Sequence, residues 1–150
     1  MNVKEYLLRI GLELPEPFVP NSENLRKLQF AHCTTVPYEN IDMMRGIPTS
    51  LDAEALYKKI VMNRRGGLCF ELNGAFGWLL RQLGYGVTDY AARYLRGETT
   101  IPMRRHRVLK VTCPEGVFVV DAGVGCLCPT TPLEFVFHTP QQRNVRRYRL

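Results

Sequence analysis

The first half of the chain carries apolar residues at helical spacing. One face of a short amphipathic helix is predicted near the N-terminus by residues at i, i+3, i+4 and i+7, namely Val3, Tyr6, Leu7 and Ile10. A second helix is predicted to begin at Ser22, a residue type that caps helices, with Leu25 and Leu28 facing inward. This helix must end before Pro37, because the residue ahead of a proline avoids helical backbone angles.

Two further helices are predicted between residue 51 and Gly84. Residues 51–62 form the third, with Asp52 near the end at which a helix dipole favours negative charge. The fourth opens at or near Cys69 and stops at Gly84, and its pattern is the clearest in the chain. Its apolar residues stand at i, i+4, i+7, i+8 and i+11, namely Leu72, Phe76, Leu79, Leu80 and Leu83.

After Gly84 the pattern changes to short runs of β-branched and aromatic residues. Three strands are predicted, over residues 87–95, 107–113 and 117–121. The Pro-Glu-Gly turn at residues 114–116 predicts that the last two strands form a hairpin. Helices followed by strands predict an α+β fold, with a helical bundle domain over residues 1–84 and an antiparallel β sheet or barrel domain over residues 85–150.

The composition is that of an ordinary folded protein. Of 150 residues, 45% are apolar and 10% are aromatic, which is enough for a buried core. No apolar run approaches the ~18 residues of a membrane span, so no membrane partner is expected. Lys4, Glu5 and Arg9 interrupt the apolar N-terminus, unlike the apolar segment of a signal peptide, and a cytoplasmic location is expected.

The formal net charge of +6 raises the question of nucleic-acid binding. The basic residues are scattered apart from residues 104–107 and 143–149, and no nucleic-acid motif or aromatic-interleaved basic helix accompanies them. A solvated basic face is therefore favoured over a nucleic-acid partner. Such a face would attract a phosphorylated cofactor.

The five cysteines are an odd number, without the density of a disulfide-stapled domain. Together with the expected cytoplasmic location, this favours reduced thiols. Cys126 and Cys128 are too closely spaced for a usual zinc knuckle, and no second pair lies elsewhere. No metal is therefore expected.

Cys69 is the candidate nucleophile. It follows Gly66 and Gly67 at the predicted start of a helix, where backbone N–H groups and the helix dipole favour a thiolate. The two glycines also lack a Cβ and would let the backbone approach a bound acyl group closely. Residue type alone favours a buried structural cysteine. The glycine pair and the helix start favour the nucleophile instead.

A cysteine nucleophile needs a base, and the base needs an orienting group. Of the three histidines, His32 lies on the second predicted helix and His138 lies in a proline-flanked loop. His106 directly precedes the second predicted strand, and Asp121 ends the third. If these strands pair, Asp121 can hold one imidazole nitrogen while the other faces Cys69. An aspartate at a strand end is, by residue type alone, more often a turn former.

These residues resemble those of the arylamine N-acetyltransferase family. Residues 65–73, Arg-Gly-Gly-Leu-Cys-Phe-Glu-Leu-Asn, are similar to the family's signature around its catalytic cysteine. Leu-x-x-Leu-x-x-x-His at residues 25–32, leading to Val-Pro-Tyr-Glu-Asn at residues 36–40, resembles a second family block. His106 and Val-Asp-Ala-Gly-Val-Gly at residues 120–125 resemble the blocks with the other two triad members. The blocks follow the family's order and cover essentially the whole chain.

The resemblance implies a Cys69–His106–Asp121 triad on a helical domain packed against a β-barrel. It further implies a ping-pong reaction in xenobiotic metabolism. Cys69 takes an acetyl group from acetyl-coenzyme A, and an arylamine, hydrazine or arylhydroxylamine then removes it. His106 would accept the thiol proton and later assist the amine, with Asp121 fixing its orientation.

The resemblance also implies supporting residues. The loop near the coenzyme's phosphates would include Gly123, Val124, Gly125 and Cys126. Glu39 and Arg65 resemble the family's supporting ion pair, whereas composition alone would leave them as two surface charges. Gly66 and Gly67 would complete the support of the site.

The chain departs from the family pattern in three respects. The segment over residues 95–103, between the first strand and His106, is expected to alter the rim of the pocket. Val124 and Cys126 stand where the family has a phenylalanine and a further glycine, so a different acyl pocket and coenzyme loop are expected. Family members also continue for roughly another hundred residues, which corresponds to a further layer of structure. The resemblance therefore predicts a truncated chain without the lid-like third domain, and with an open strand edge on an incomplete β domain.

Two other functions stay open from the sequence. One is another thiol enzyme of the papain or transglutaminase type, which would use the same triad on amides. The other is a non-catalytic fragment that binds a partner through its exposed strand edge. In that fragment Cys69 would be no more reactive toward thiol reagents than Cys33 or Cys113.

Overall fold

The computed structural model of the chain describes residues 1–93, 95 and 99–150. The helices are α1 (Val3–Ile10), α2 (Ser22–Thr35), α3 (Ile41–Met44), α4 (Ala53–Tyr57), which continues as a π-helical turn over Lys58–Met62, and α5 (Cys69–Gln82). The strands are β1 (Gly86–Ala92), β2 (His106–Cys113), β3 (Gly116–Val120), β4 (Leu133–Glu134), β5 (Gln141–Arg143) and β6 (Arg146–Tyr148). A 3₁₀ turn covers Gly125–Leu127.

The predictions for α1 and α5 are confirmed. In α1, Tyr6 and Ile10 are buried, as the apolar spacing requires. α5 begins at Cys69, buries most of its predicted apolar stripe and is followed by Gly84, whose φ of 88° suits a residue without a Cβ.

The prediction of Ser22 as the cap of the second helix is wrong by one residue. The side chain of Asn21 accepts the N–H of Asn24 at 2.8 Å and caps α2, and Ser22 is the first helical residue. The Ser22 N–H instead donates to the carboxylate of Glu115 at 3.0 Å. The helix ends at Thr35, ahead of Pro37 as predicted.

The third predicted helix is split into two kinds of helix. Asp52 caps α4 through the N–H groups of Glu54 and Ala55, both at 3.0 Å. The helix widens into the π turn that begins at Lys58, where periodicity predicts an unbroken α-helix. Apolar spacing does not distinguish the two geometries over so short a run.

The predicted antiparallel sheet is confirmed, and it is an open meander with strand order β1-β2-β3-β4. β2 and β3 form the predicted hairpin, in which Leu109 pairs with Val120 and Cys113 with Gly116. β1 pairs with β2 along its whole length, from Gly86 opposite Thr112 to Ala92 opposite His106. Tyr94, which belongs to the first predicted strand, lies outside the described residues. The described strands do not close into a barrel; β5 and β6 form a separate hairpin.

Four elements have no counterpart in the sequence predictions, namely α3, β4, β5 and β6. Each has four residues or fewer, which is too short for a hydrophobic period to register. β4 pairs with β3 through Leu133 opposite Val119 and extends the sheet by one strand.

The core lies between α5 and the inner face of the sheet. Phe76 and Leu80 of α5 are fully buried, as are Leu109 and Val111 of β2. The same hydrophobic cluster includes Tyr6 of α1, so the helices and the sheet share one core. An α+β fold is confirmed, whereas the division into domains at residue 84 stays a prediction. Within the described part of the chain, no helix is long and apolar enough to cross a membrane.

Candidate active site

Cys69 occupies the first position of α5 and is half-buried. Its thiol points toward the segment ahead of β2, with Sγ 3.8 Å from the carbonyl oxygen of Arg105. The N-terminus of a helix carries a positive partial charge, which favours a negative sulfur at this position. The structure therefore places the predicted nucleophile next to the start of the strand that carries His106.

The glycine pair before Cys69 lies against the chain around Pro37. A Cβ on Gly66 would stand 1.9 Å from the carbonyl oxygen of Pro37, and one on Gly67 would stand 2.7 Å from the carboxylate of Glu71. Gly67 also forms an isolated parallel bridge with Tyr38. The missing Cβ atoms thus make room for the protein's own backbone and for a carboxylate, a different reason from the predicted approach to an acyl group.

Glu71 fixes the start of α5. Its carboxylate is almost fully buried and accepts the N–H of Leu68 at 2.9 Å. The ammonium group of Lys59 bridges this carboxylate at 2.7 Å and that of Asp42 at 2.8 Å. Burial alone would lower the pKa of Lys59, but the two carboxylates outweigh burial and raise it. The ammonium of Lys59 therefore stays charged, and it supports the loop before Cys69 through its contact with Glu71.

Glu39 and Arg65 form the ion pair that the resemblance implies, with 2.8 Å between the guanidinium and the carboxylate. The same guanidinium contacts Asp42 at 2.9 Å, and Asp42 also binds Lys59. The hydrogen bonds from Lys59 and Arg65 hold the pKa of Asp42 below its usual value. One network of charges thus joins α3, the π turn and the loop before α5.

His106 and Asp121 are buried together at neighbouring ends of the β2–β3 hairpin. Nε2 of the imidazole lies 2.6 Å from Oδ2 of Asp121. Burial acts to lower the pKa of His106, but the hydrogen bonds with Asp121 and Cys69 outweigh it and raise the pKa to about 9. The imidazole is therefore protonated at neutral pH and joins the carboxylate and the thiol in one cluster.

Asn73 organises this cluster, and sequence reasoning singled it out only as the last residue of a family block. The fully buried amide donates to Oδ1 of Asp121 at 2.9 Å and to the carbonyl of Arg107 at 2.6 Å. Its own oxygen accepts the N–H of Ala122 at 2.8 Å. Asn73 lies four residues after Cys69, one helical turn further along α5, and this spacing is the signal that points to it.

The predicted coenzyme loop packs directly on Cys69. A Cβ on Gly123 would lie 2.8 Å from Cα of Cys69, and the Gly123 N–H donates to Oδ1 of Asp121 at 2.9 Å. Gly125 has a φ of 59°, which favours glycine, and it begins the 3₁₀ turn that contains Cys126. Val124 directly precedes that turn as its cap residue.

The other two histidines lie apart from this cluster. His32 is fully buried in the core, with Nε2 3.1 Å from the hydroxyl of Tyr6. The backbone N–H of His138 donates a hydrogen bond to the carbonyl oxygen of Leu150. Within residues 1–93, 95 and 99–150, no three histidine, cysteine or acidic side chains are arranged to hold a metal ion.

Comparison with known proteins shows which protein family the chain is similar to. A family model described as N-acetyltransferase matches residues 21–150. An arylamine N-acetyltransferase of Mycobacterium tuberculosis is 39% identical over 137 residues, which cover 87% of this chain and 48% of that protein. The arylamine N-acetyltransferase / N-hydroxyarylamine O-acetyltransferase of Salmonella typhimurium is 38% identical, over 88% of this chain and 47% of that protein. The chain thus spans about half the length of these curated relatives.

A solved structure shows the same architecture. The arylamine N-acetyltransferase of Mycobacterium marinum in complex with CoA superposes with a TM-score of 0.88 at 39% sequence identity. The match covers 99% of this chain and 56% of the marinum chain. The described helices and sheet therefore have the same arrangement as the corresponding part of the marinum protein.

Proposed function

The chain belongs to the arylamine N-acetyltransferase family, and from that membership we propose that it moves an acetyl group through a thioester on Cys69. The donor is acetyl-coenzyme A, and the acceptor is an arylamine, a hydrazine or an arylhydroxylamine. The observation that carries the proposal is the cluster of Cys69, His106 and Asp121, in which a buried carboxylate holds the imidazole beside the thiol.

In the first half-reaction Cys69 is the nucleophile. With Nε2 of His106 engaged by Asp121, the hydrogen bond with Cys69 falls to Nδ1, and in the resting site Nδ1 already holds the proton that the thiol has given up. The thiolate attacks the acetyl carbonyl carbon, and the bond from that carbon to the coenzyme sulfur breaks. The departing sulfur takes the proton from His106 and leaves as free coenzyme A. The helix N-terminus favours the negative charge that develops during this step.

In the second half-reaction the amine takes the acetyl group. The now neutral His106 accepts a proton from the amine nitrogen as that nitrogen attacks the thioester. The bond from the carbonyl carbon to Sγ of Cys69 breaks, and the thiolate and imidazolium are restored. Asp121 keeps its charge throughout and orients the imidazole, with Asn73 and the Gly123 N–H holding the carboxylate in turn.

We assign the loop that begins at Gly123 to the coenzyme. Gly123 brings the loop backbone against Cys69, and the residues that follow, Val124, Gly125 and Cys126, lie within reach of a thioester bound there. The marinum relative solved in complex with CoA supports the choice of coenzyme, whereas the choice of loop rests on its contact with Cys69. Glu39, Arg65 and the two glycines support the site by fixing the loop from which α5 starts.

Turnover with a simple amine tests the proposal. Acetyl-coenzyme A and aniline are mixed with the 150-residue chain, and N-acetylaniline is measured. Cys69→Ala should lower the rate by a factor of about 10³ or more, and His106→Gln by about 10²–10⁴. Cys113→Ser, which changes a thiol at the far end of β2, should leave the rate unchanged.

Absence of product from the folded chain would contradict the proposed activity and favour the non-catalytic function. Folding is checked by circular dichroism on the same samples. A rate that survives Cys69→Ala would instead contradict the role given to this thiol.

A further inference from the structure

Two cysteines outside the proposed catalytic cluster lie against each other. Cys33 is on the last turns of α2 and Cys128 follows the 3₁₀ turn after β3, 95 residues further along the chain. Their sulfurs are 3.3 Å apart, and both are free thiols. A disulfide has an S–S distance of about 2.05 Å, so a closing movement of little more than about 1 Å separates the thiols from a bond.

The pair touches the backbone of Asp121. The Cys128 thiol donates to the Asp121 carbonyl at 2.6 Å, and Cys33 lies 3.9 Å from the same oxygen. The buried amide of Gln29 donates to this carbonyl at 3.4 Å and to that of Pro129 at 2.5 Å. The two thiols therefore belong to the contacts that hold Asp121 and the loop after it against α2.

The pair is accessible from one side. A cavity of about 330 Å³ is lined by both sulfur-bearing residues, together with Cys126 and Tyr38. Cys33 is half-buried, whereas Cys128 is buried. The hydrogen bond from Cys33 and the burial together raise the pKa of the Cys128 thiol, so Cys128 stays protonated. Cys33 is thus the sulfur that a small reagent meets first.

We propose that Cys33 and Cys128 are a second thiol site, which low-molecular-weight disulfides oxidise to an intramolecular bond between α2 and the loop that follows Asp121. The site is separate from the nucleophile and does not rest on the proposed acetyl transfer. Its chemistry is thiol–disulfide exchange, for which the two sulfurs are already adjacent.

The exchange takes two steps and consumes one molecule of small disulfide. The Cys33 thiolate attacks one sulfur of glutathione disulfide, forms a mixed disulfide and releases one glutathione thiol. Cys128 then loses its proton and attacks the Cys33 sulfur, and the second glutathione leaves as a thiol. The chain loses two hydrogen atoms and two electrons, and the glutathione disulfide gains them.

Oxidation changes the support of Asp121. The bonded sulfurs carry no S–H, so the Asp121 carbonyl loses the donor now 2.6 Å away and keeps that of Gln29. The carboxylate that orients His106 is then held less firmly. The Cys69 thiol should consequently react about fivefold more slowly with iodoacetamide in the oxidised chain, the effect of one ordinary hydrogen bond.

Intact mass after treatment with glutathione disulfide tests the proposal. The wild-type chain should become lighter by two hydrogen atoms, and dithiothreitol should reverse the change. Cys33→Ser should prevent this loss of mass and leave only glutathione adducts. Cys113→Ser and Cys126→Ser should still show the loss, because neither thiol belongs to the pair. Cys128→Ser adds a second pair-breaking variant, and circular dichroism checks each fold.

The bond is located in the Cys126→Ser chain. Digestion with trypsin and a glutamate-specific protease then leaves Cys128 as the one cysteine of residues 116–134, and Cys33 in residues 28–39. A disulfide-linked pair of these peptides is expected. Loss of two hydrogen atoms that persists in Cys33→Ser would overturn the site. So would glutathione adducts alone on the wild-type chain. Equal Cys69 alkylation in the two forms would overturn the coupling to Asp121.

Discussion

At the scale of single residues, the electrostatics of the site centre on one imidazole. His106 is buried, and burial by itself favours its neutral form. The carboxylate of Asp121 and the thiol of Cys69 reverse that preference and bring the pKa to about 9. The protonated imidazole is the partner that a thiolate at the start of α5 needs, so the carboxylate of Asp121 supports the proposed role of Cys69 despite the burial of the ring.

Replacing Asp121 by asparagine should lower the pKa of His106 from about 9, because burial is then opposed only by the interaction with Cys69. NMR titration of the ring protons measures this change. His32 is an internal control, since burial lowers its pKa to about 3 and its signal should not titrate near neutral pH in either protein. A titration midpoint of about pH 6.5 for His106 in the wild type would contradict the account.

The raised pKa of His106 determines how the free energy of unfolding changes with pH. The raised pKa means that the folded chain binds the His106 proton more tightly than the unfolded chain. This contribution to the free energy of unfolding is fully present below about pH 6.5 and is lost as the pH rises through about 9. Urea unfolding over this window should show a smaller decline in Asp121→Asn than in the wild type.

At the scale of elements, the loop before α5 is held by charges from two separate helical segments. The π turn carries Lys59 and α3 carries Asp42, and both reach the carboxylates and the guanidinium around residues 65–71. The π turn and the four-residue α3 are thus part of the support of the site.

Lys59→Met should destabilise the chain by about 2–4 kcal/mol, because it leaves the buried carboxylate of Glu71 without its ammonium partner. Lys27→Met is the matched control, since it removes the same charge from an exposed pair with Glu23 and should cost at most about 1 kcal/mol. Urea unfolding of both variants measures the difference. Equal losses would show that the network around Glu71 contributes no more than a surface pair.

The sequence predicted the long and regular elements more accurately than the short and irregular ones. The stripe of α5 and the hairpin turn at residues 114–116 carry strong periodic and turn signals, and both elements were located to within about a residue. The π turn and the short strands β4 to β6 were missed, because each is too short for a hydrophobic period to register. The Asn73 network and the Cys33–Cys128 contact were missed because they join residues that are distant in sequence.

At the scale of the whole molecule, one shared core brings the parts of the site together. α5 packs on the inner face of the sheet, and Arg107 of β2 donates to the carbonyl of Phe70 at 3.2 Å. The strand that starts at His106 is thereby fastened to the helix that starts at Cys69. The relative position of the proposed nucleophile and the proposed base is therefore a property of the packed core and not of either element alone.

The chain spans about half the length of its curated relatives, yet all three proposed catalytic residues lie within it. The proposed activity first requires that this chain form an acyl-enzyme. The proposed turnover requires in addition that the chain bind the acceptor amine.

The most direct test is the intact mass of the chain after incubation with acetyl-coenzyme A alone. The account predicts a gain of one acetyl group, located on the tryptic peptide of residues 66–81, absent from Cys69→Ser and removed when aniline is added. No adduct on the folded wild-type chain would contradict it. Acetylation of Cys33 or Cys113 to the same extent as Cys69 would also contradict it, because the thiol at the start of α5 would then have no special reactivity.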